Sequence, residues 1–354
     1  MLVLLVGTGV FLTFRLGFIQ IFQLPYALKL AFSPAQQDRI SKGDISHFQA
    51  LMTALAATIG TGNIVGVATA VVLGGPGAVF WMWITAVFGM ATKYGEAVLA
   101  IKFRVTDEKG EMAGGPMYYI EKGLGWKWLA VLFAVFGSVA AFGIGNLVQA
   151  NAVAGNMHDT FGVSPYITGA VLAVFTAMVI LGGVKSIGRW TSIIVPFMAV
   201  FYILGGLYII FTNLGLVGPA FTVIFASAFS TEAGFGALIG TTIRFGVARG
   251  VFSNEAGLGS APIAAAAAKT DHPGRQGLVS MTGTFLDTIV VCTITGLSLV
   301  MANLYIGVEK AGAAALTSQS FQHFIPFGNL MVTIALLFFA YSTVLGWSYY
   351  GEKC

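Results

Sequence analysis

A chain of 354 residues with 57% hydrophobic and only 9% charged residues, at a mean hydropathy of +0.86, lacks the polar surface that a soluble protein with ~25% charged residues turns to water. Its net charge of +4 is scattered through loops and gives no sign of nucleic-acid binding, and its two cysteines, Cys292 in an apolar run and Cys354 at the last position, give no disulfide framework. Apolar runs beyond ~18 residues recur, each long enough to cross a hydrocarbon core, so the sequence reads as a polytopic α-helical membrane protein and excludes a soluble enzyme or a secreted disulfide-rich domain.

Nine hydrophobic helices are predicted. The first covers about 1–31, its second half either spanning or lying along the membrane interface. The others cover about 47–73, 77–104, 127–155, 165–184, 190–213, 233–268, 276–304 and 325–350. A further apolar stretch, 217–230, is short for a span and reads as re-entrant or interfacial. Met1 opens into an apolar stretch without a charged n-region or cleavage site, and the last helix runs straight into Gly-Glu-Lys-Cys, so both ends are expected to be incomplete. Lys and Arg set the orientation. With the N-terminus outside, alternate connections collect 13 of the 18 basic residues on the cytoplasmic side: Lys29, Arg39 and Lys42; Lys102, Arg104, Lys109, Lys122 and Lys127; Lys185 and Arg189; Lys269 and Arg275; Lys353. The opposite connections hold only Lys310.

Two of these helices are interrupted. The second reads Ala56-Ala-Thr-Ile-Gly60-Thr61-Gly62-Asn63-Ile-Val-Gly66, and the seventh, too long for one straight span, carries Arg249-Gly-Val-Phe252-Ser253-Asn-Glu255-Ala-Gly-Leu-Gly-Ser-Ala-Pro262. Glycine costs about 1 kcal/mol against alanine inside a helix, and irregular backbone at membrane depth persists only where it lines a cavity or is packed in protein. Each break alone also fits close helix packing by small residues. The pair, at matching places in two oppositely oriented halves, points to an inverted-repeat secondary transporter. Half-helix N-termini then aim backbone N–H groups, those of Thr61 and Gly62, at an anionic group.

Polar residues inside the spans need a reason, since a central charge costs ~2.5–3.5 kcal/mol on insertion scales. Glu255 reads as part of an ion pathway, as a half-helix cap or as a partner of Arg249. Asp287, among Thr284, Thr288 and Thr293, suits packing or transport. Lys93 and Glu96, three apart, read as an ion pair. Asn146 and Gln149 share a helix face after Phe142 and either bind a small substrate or link helices. Ser342 and Thr343 either bond their own i−4 carbonyls or complete, with carbonyls of the second helix, an oxygen shell for a hard cation such as sodium. Met117-Tyr118-Tyr119, Trp126 and Trp128 read as interfacial anchors. The glycines at 60–66 lack the dinucleotide spacing, no organic cofactor is indicated, and His47, His158, His272 and His323 form no metal-ligand or triad pattern.

These stretches, together with Gly114-Gly-Pro-Met-Tyr118, Thr270-Asp-His-Pro273, Gly283-Thr-Phe-Leu-Asp287-Thr and Tyr341-Ser-Thr-Val-Leu-Gly-Trp347, resemble the alanine/glycine:cation symporter family over essentially the whole chain. The resemblance implies the inverted-repeat fold of the bacterial leucine transporter behind one extra N-terminal helix. Residues 1–31 would be that helix, 47–213 the first five-helix repeat and 233–354 a second repeat of which three helices are present, with two more expected beyond Cys354. It implies substrate contacts at Thr61, Gly62, Asn63, Phe252 and Ser253, pocket walls at Phe142, Gln149 and Trp347, and sodium held by carbonyls of Ala56 and Ile59 opposite Ser342 and Thr343. The expected activity is sodium-coupled import of alanine or glycine across the cell membrane by alternating access. Beyond sodium, the small amino acid and membrane lipid, no further partner is implied: no nucleic acid and no obligatory protein. Rival readings are proton coupling through Glu255, a channel, and a membrane enzyme, for which no polar cluster is found.

Overall fold

The computed structural model describes residues 1–38, 40–229, 237–309 and 312–354. Arg39, Lys310 and the expected start of the seventh helix at 233 lie outside the described residues. The first apolar run is two helices, α1 (Leu2–Arg15) and α2 (Leu24–Phe32), separated by a turn in which Phe18 takes a left-handed φ of 57°. Across that turn the Gln20 side-chain amide donates to Thr13 Oγ1 at 2.8 Å, both residues being buried. Gly9 lets α1 lie directly on the helix that carries Phe88, because a Cβ there would stand 2.7 Å from the Phe88 carbonyl oxygen.

The second predicted helix is a bent pair, α3 (His47–Thr58) and α4 (Gly62–Gly74), whose axes differ by 53°. Its start is fixed by a capping box of Ser46 and Gln49, which satisfies two free N–H groups reciprocally. Next come α5 (Gly77–Phe103), a two-strand hairpin of β1 (Val105–Thr106) and β2 (Met112–Ala113), α6 (Lys127–Phe161), α7 (Pro165–Ile180) and α8 (Gly183–Thr212). The stretch expected at 217–230 falls, as far as residue 228, in a continuous helix, α9 (Leu214–Ala228), following α8 after Asn213 alone and lying against α5.

The seventh helix is likewise split into α10 (Ala237–Asn254) and α11 (Ala261–Ala266). Between them Glu255, Gly257 and Gly259 have φ of 55°, 86° and 80°. At Gly259 only glycine fits, since a Cβ would meet Pro116 Cγ at 2.5 Å as well as adopting a strained φ. The break's backbone finds side-chain partners: Glu96 Oε1 accepts the Gly259 N–H at 3.0 Å and Asn254 Oδ1 accepts the Ala256 N–H at 3.0 Å. The rest is α12 (Pro273–Ala302), α13 (Ala313–Phe324), which no hydrophobic run announced, and α14 (Gly328–Lys353). The centre of the bundle is α5, packed against α1, α10, α11 and α12, while α14 lies against α3, α6 and α8.

Candidate functional site

The breaks in the second and seventh helices face each other. After Thr58 the chain leaves the helix at Ile59 (φ −76°, ψ 92°), and the Gly60 N–H donates to Asn63 Oδ1 at 2.9 Å. The other end of that amide reaches away: Asn63 Nδ2 donates to Asp287 Oδ1 at 2.7 Å. The second oxygen of Asp287 accepts the Ser253 hydroxyl at 2.8 Å and the Thr288 hydroxyl at 2.7 Å. A fully buried carboxylate on α12 therefore ties both breaks together, with all its bonds going to neutral donors.

On the α14 side, Ser342 and Thr343 lie where carbonyls converge. Ser342 Oγ is 3.5 Å from the Ala56 carbonyl oxygen and Thr343 Oγ1 is 3.4 Å from that of Ile59. Both hydroxyls also donate to the Phe339 carbonyl at 2.9 Å. The local back-bonding is present, and the hydroxyls also lie beside the second-helix carbonyls named in the oxygen-shell expectation; Ser342 Oγ further meets Met198 Sδ at 3.3 Å, and one nearby oxygen that the reading missed is the carbonyl of Phe339. Its signal was helical spacing, three and four residues before the hydroxyls. Long contacts to two carbonyls that have no N–H between them suit a hard cation, which prefers an all-oxygen set. Close approach depends on Gly346, where a Cβ would come within 2.7 Å of the Ala57 amide nitrogen.

Beside these oxygens is a cavity of about 20 Å³, lined among others by Gly60, Gly62, Gln149, Glu255, Phe252 and Trp347. That is room for about one water. Gln149 Oε1 accepts the Thr61 N–H at 3.3 Å and its Nε2 donates to the Ile144 carbonyl at 3.3 Å. The N–H assigned to a substrate carboxylate is therefore occupied by a side chain that a ligand has to replace. Two expected wall residues are elsewhere. Phe142 is 73% exposed on the outer face of α6, and Asn146 bonds the Ala141 carbonyl of its own helix and lines a separate groove towards α7. The reason is a π-helical stretch, Ala141–Leu147, which rotates the face on which a regular helix would have set them beside Gln149.

Two ionic expectations also change. Glu255 does not pair with Arg249; its carboxylate accepts the Trp347 indole N–H at 3.0 Å and the Ser260 hydroxyl at 2.5 Å. Lys93 and Glu96 form no ion pair, Glu96 being turned to the Gly259 N–H instead. Arg249 stacks over the Phe252 ring, 5.7 Å from its centroid.

A vestibule of about 620 Å³ opens above Thr61, Gly62 and Phe252, walled by α6, α10, α13 and the start of α14 around Asn329 and Thr333. At the other end of α14, roughly 39 Å away at 1.5 Å per residue, the chain is closed. There Arg104 donates to the carbonyls of Ala266 (2.9 Å), Ala268 (2.7 Å) and Lys42 (2.8 Å). The Lys269 N–H donates to the Ile45 carbonyl at 2.7 Å. Lys353 bonds Asp107 and Glu111, both at 2.8 Å, and its ammonium holds the Asp107 carboxyl below the usual carboxylate range. Lys42, Arg104, Lys109, Lys269 and Lys353 thus gather at one end, as the charge asymmetry of the loops requires.

The profile of the sodium:alanine symporter family matches residues 1–354. The sodium/alanine symporter AgcS of Methanococcus maripaludis is 72% identical over 360 residues, covering 100% of this chain and 79% of the relative. The probable sodium/glutamine symporter GlnT of Bacillus subtilis is 38% identical over 352 residues, covering 99% and 73%. Among solved structures, MhsT in complex with L-phenylalanine superimposes with a TM-score of 0.62 at 16% identity, covering 88% of this chain and 73% of that one. This last likeness shows the fold alone, an all-α polytopic membrane fold.

Proposed function

The chain belongs to the sodium:alanine symporter family, and on that premise we propose that it moves a small neutral amino acid, alanine or glycine, across the cell membrane together with sodium. Its family is one of carriers, not enzymes. The observation that carries the reading is the meeting of the Ser342 and Thr343 hydroxyls with the Ala56 and Ile59 carbonyls at the helix break. Sodium there would straighten no helix; it would hold α14 against the end of α3 and so set the position of Gly60–Asn63.

The amino acid binds where the small cavity and the vestibule share Gly62 and Phe252. Its carboxylate takes the Thr61 and Gly62 N–H groups after Gln149 gives up the Thr61 bond, and its ammonium faces the free carbonyls at the end of α10, near Phe252 and Ser253. Trp347 and Phe252 leave space for about a methyl group. Alternating access then joins two ends already different in this structure: the open vestibule, taken as the outer face by the basic-loop rule, and the closed, Lys- and Arg-rich cytoplasmic face. The bundle is read as an extra N-terminal helix, a five-helix repeat over 47–213 and part of a second from 233 onwards.

The test is uptake of radiolabelled alanine by the purified protein in liposomes, under an inward sodium gradient against choline, with a pH gradient in parallel. Accumulation only with sodium is expected. Accumulation on a pH gradient alone would move coupling to Glu255, and accumulation in neither condition would overturn the substrate.

A further inference from the structure

The vestibule contains a cation that the transport site does not use. Arg249 lines it one helical turn above Phe252, half-buried, with its guanidinium over that ring. Among the described residues it makes no hydrogen bond or ion pair. A guanidinium partly removed from water and held off every carboxylate is poised for a planar anion, which it takes by two parallel N–H···O bonds.

The α6 wall of the same vestibule has the opposite character. Among the described residues, the buried Asn156 Oδ1 meets no donor, and Asp159, one turn further along, presents an exposed carboxylate partnered only by the ring of His158 at 3.4 Å. One wall thus lacks an anion and the other lacks a hydrogen-bond donor. An α-amino acid zwitterion supplies both, a carboxylate and an ammonium on one carbon.

We propose that the vestibule is a first docking station for the zwitterion, in which Arg249 takes the carboxylate and the Asn156–Asp159 wall faces the ammonium before the molecule passes Phe252 to the helix breaks. The station rests on the amino-acid reading above and adds a step to it. Because Arg249 sits on the Phe252 ring, loading the guanidinium with a carboxylate also loosens its hold on the side chain that floors the vestibule. The zwitterion has no net charge, so the station acts by contact: filling it before the final step raises the association rate, while release from the deeper site does not depend on it.

The experiment is the binding kinetics of radiolabelled alanine to the purified protein in sodium, with association and dissociation rates measured separately. Arg249→Gln should slow association about tenfold, the change expected for losing about 1.4 kcal/mol of a charge-assisted contact in the station, and leave dissociation within about twofold. Arg249→Lys, which keeps the charge but not the planar fork, should restore only part of the rate. Asp159→Asn, at an exposed position outside the packed core, should slow association too and decides the matter if Arg249→Gln does not fold. Wild-type association in a folded Arg249→Gln protein overturns the station, as does a loss confined to dissociation, which would place Arg249 in the deeper site. Wild-type protein that binds no alanine in sodium overturns the amino-acid reading itself, and the station with it.

Discussion

The side-chain amide of Asn63 donates to the carboxylate of Asp287 at 2.7 Å, across 224 positions of sequence. Through it the broken second helix is fixed to α12, and through the other oxygen of the same carboxylate so is Ser253 of the broken seventh. Asp287→Ala takes the carboxylate from three buried donors, Asn63, Ser253 and Thr288, at about 1–3 kcal/mol for each left unpaired. Because ~1.4 kcal/mol is tenfold in affinity, alanine binding should weaken at least about tenfold, with a lower unfolding temperature by size-exclusion after heating. Unchanged affinity would mean that the network holds the bundle but not the site.

Gly62 separates volume from stability. A Cβ there would lie 3.5 Å from the Phe252 ring and from Ser253 Cα, ordinary contact distances. Gly62→Ala should therefore fold normally and shift preference from alanine towards glycine, because the added methyl takes the space of the ligand's. Gly62→Leu should abolish binding while the protein still elutes as a single species. Competition of each amino acid against labelled alanine reads both outcomes, and intact affinity in Gly62→Leu would remove this break from the binding site.

How much of this was legible in the sequence depends on the kind of signal. The breaks at 59–61 and 255–260 were, because clustered glycines and polar residues interrupt an apolar run at matching places in two halves, and such backbone persists at membrane depth only where it lines a cavity or is packed in protein. The pairing of Ser342 and Thr343 with Ala56 and Ile59 came from family resemblance, since nothing local joins positions 286 apart. Phe142 and Asn146 were misplaced because a π-helical turn leaves no hydropathy signature and shifts every later side chain around the axis. The α13 helix was invisible because its Ala, Ser, Thr and Gln are half-polar and it lies over the vestibule, where Thr317 caps the Ile64 carbonyl at 3.0 Å. Asp159 and Arg249 became meaningful only when the fold set them on walls of one cavity.

The oxygen cluster between α3 and α14 predicts how sodium dependence responds to substitution. Ser342→Ala with Thr343→Ala removes two oxygens and leaves the Ala56, Ile59 and Phe339 carbonyls in place. The sodium concentration for half-maximal alanine uptake should rise about tenfold or more, on the scale of ~1.4 kcal/mol per tenfold, with smaller effects from each single change. The maximal rate at saturating sodium should change far less. A sodium titration of uptake in liposomes decides it; an unshifted midpoint in the double variant would place the coupling ion elsewhere.

Arg104 makes three hydrogen bonds across the closed end. Its guanidinium joins three carbonyls, Ala266 at the end of α11, Ala268 just after it and Lys42 shortly before α3, so one side chain pins the basic-side ends of both broken helices. Opening that end has to release all three charge-assisted bonds, each worth about 1.5–3 kcal/mol. Arg104→Ala should therefore shift the protein towards the state open at the basic end. Lysine cannot replace it, having a single ammonium where a planar fork spans separate acceptors. The readout is thiol labelling of an Ala268→Cys protein that also carries Cys354→Ser. Ala268 is fully buried here, so labelling should be slow with Arg104 present and at least about tenfold faster in Arg104→Ala, a factor set by the loss of one such bond. Sodium without alanine is the condition to use, since bound substrate would itself favour the transition. Equal labelling rates would assign the closure to the Lys353 cluster with Asp107 and Glu111 and to the Lys269–Ile45 bond instead.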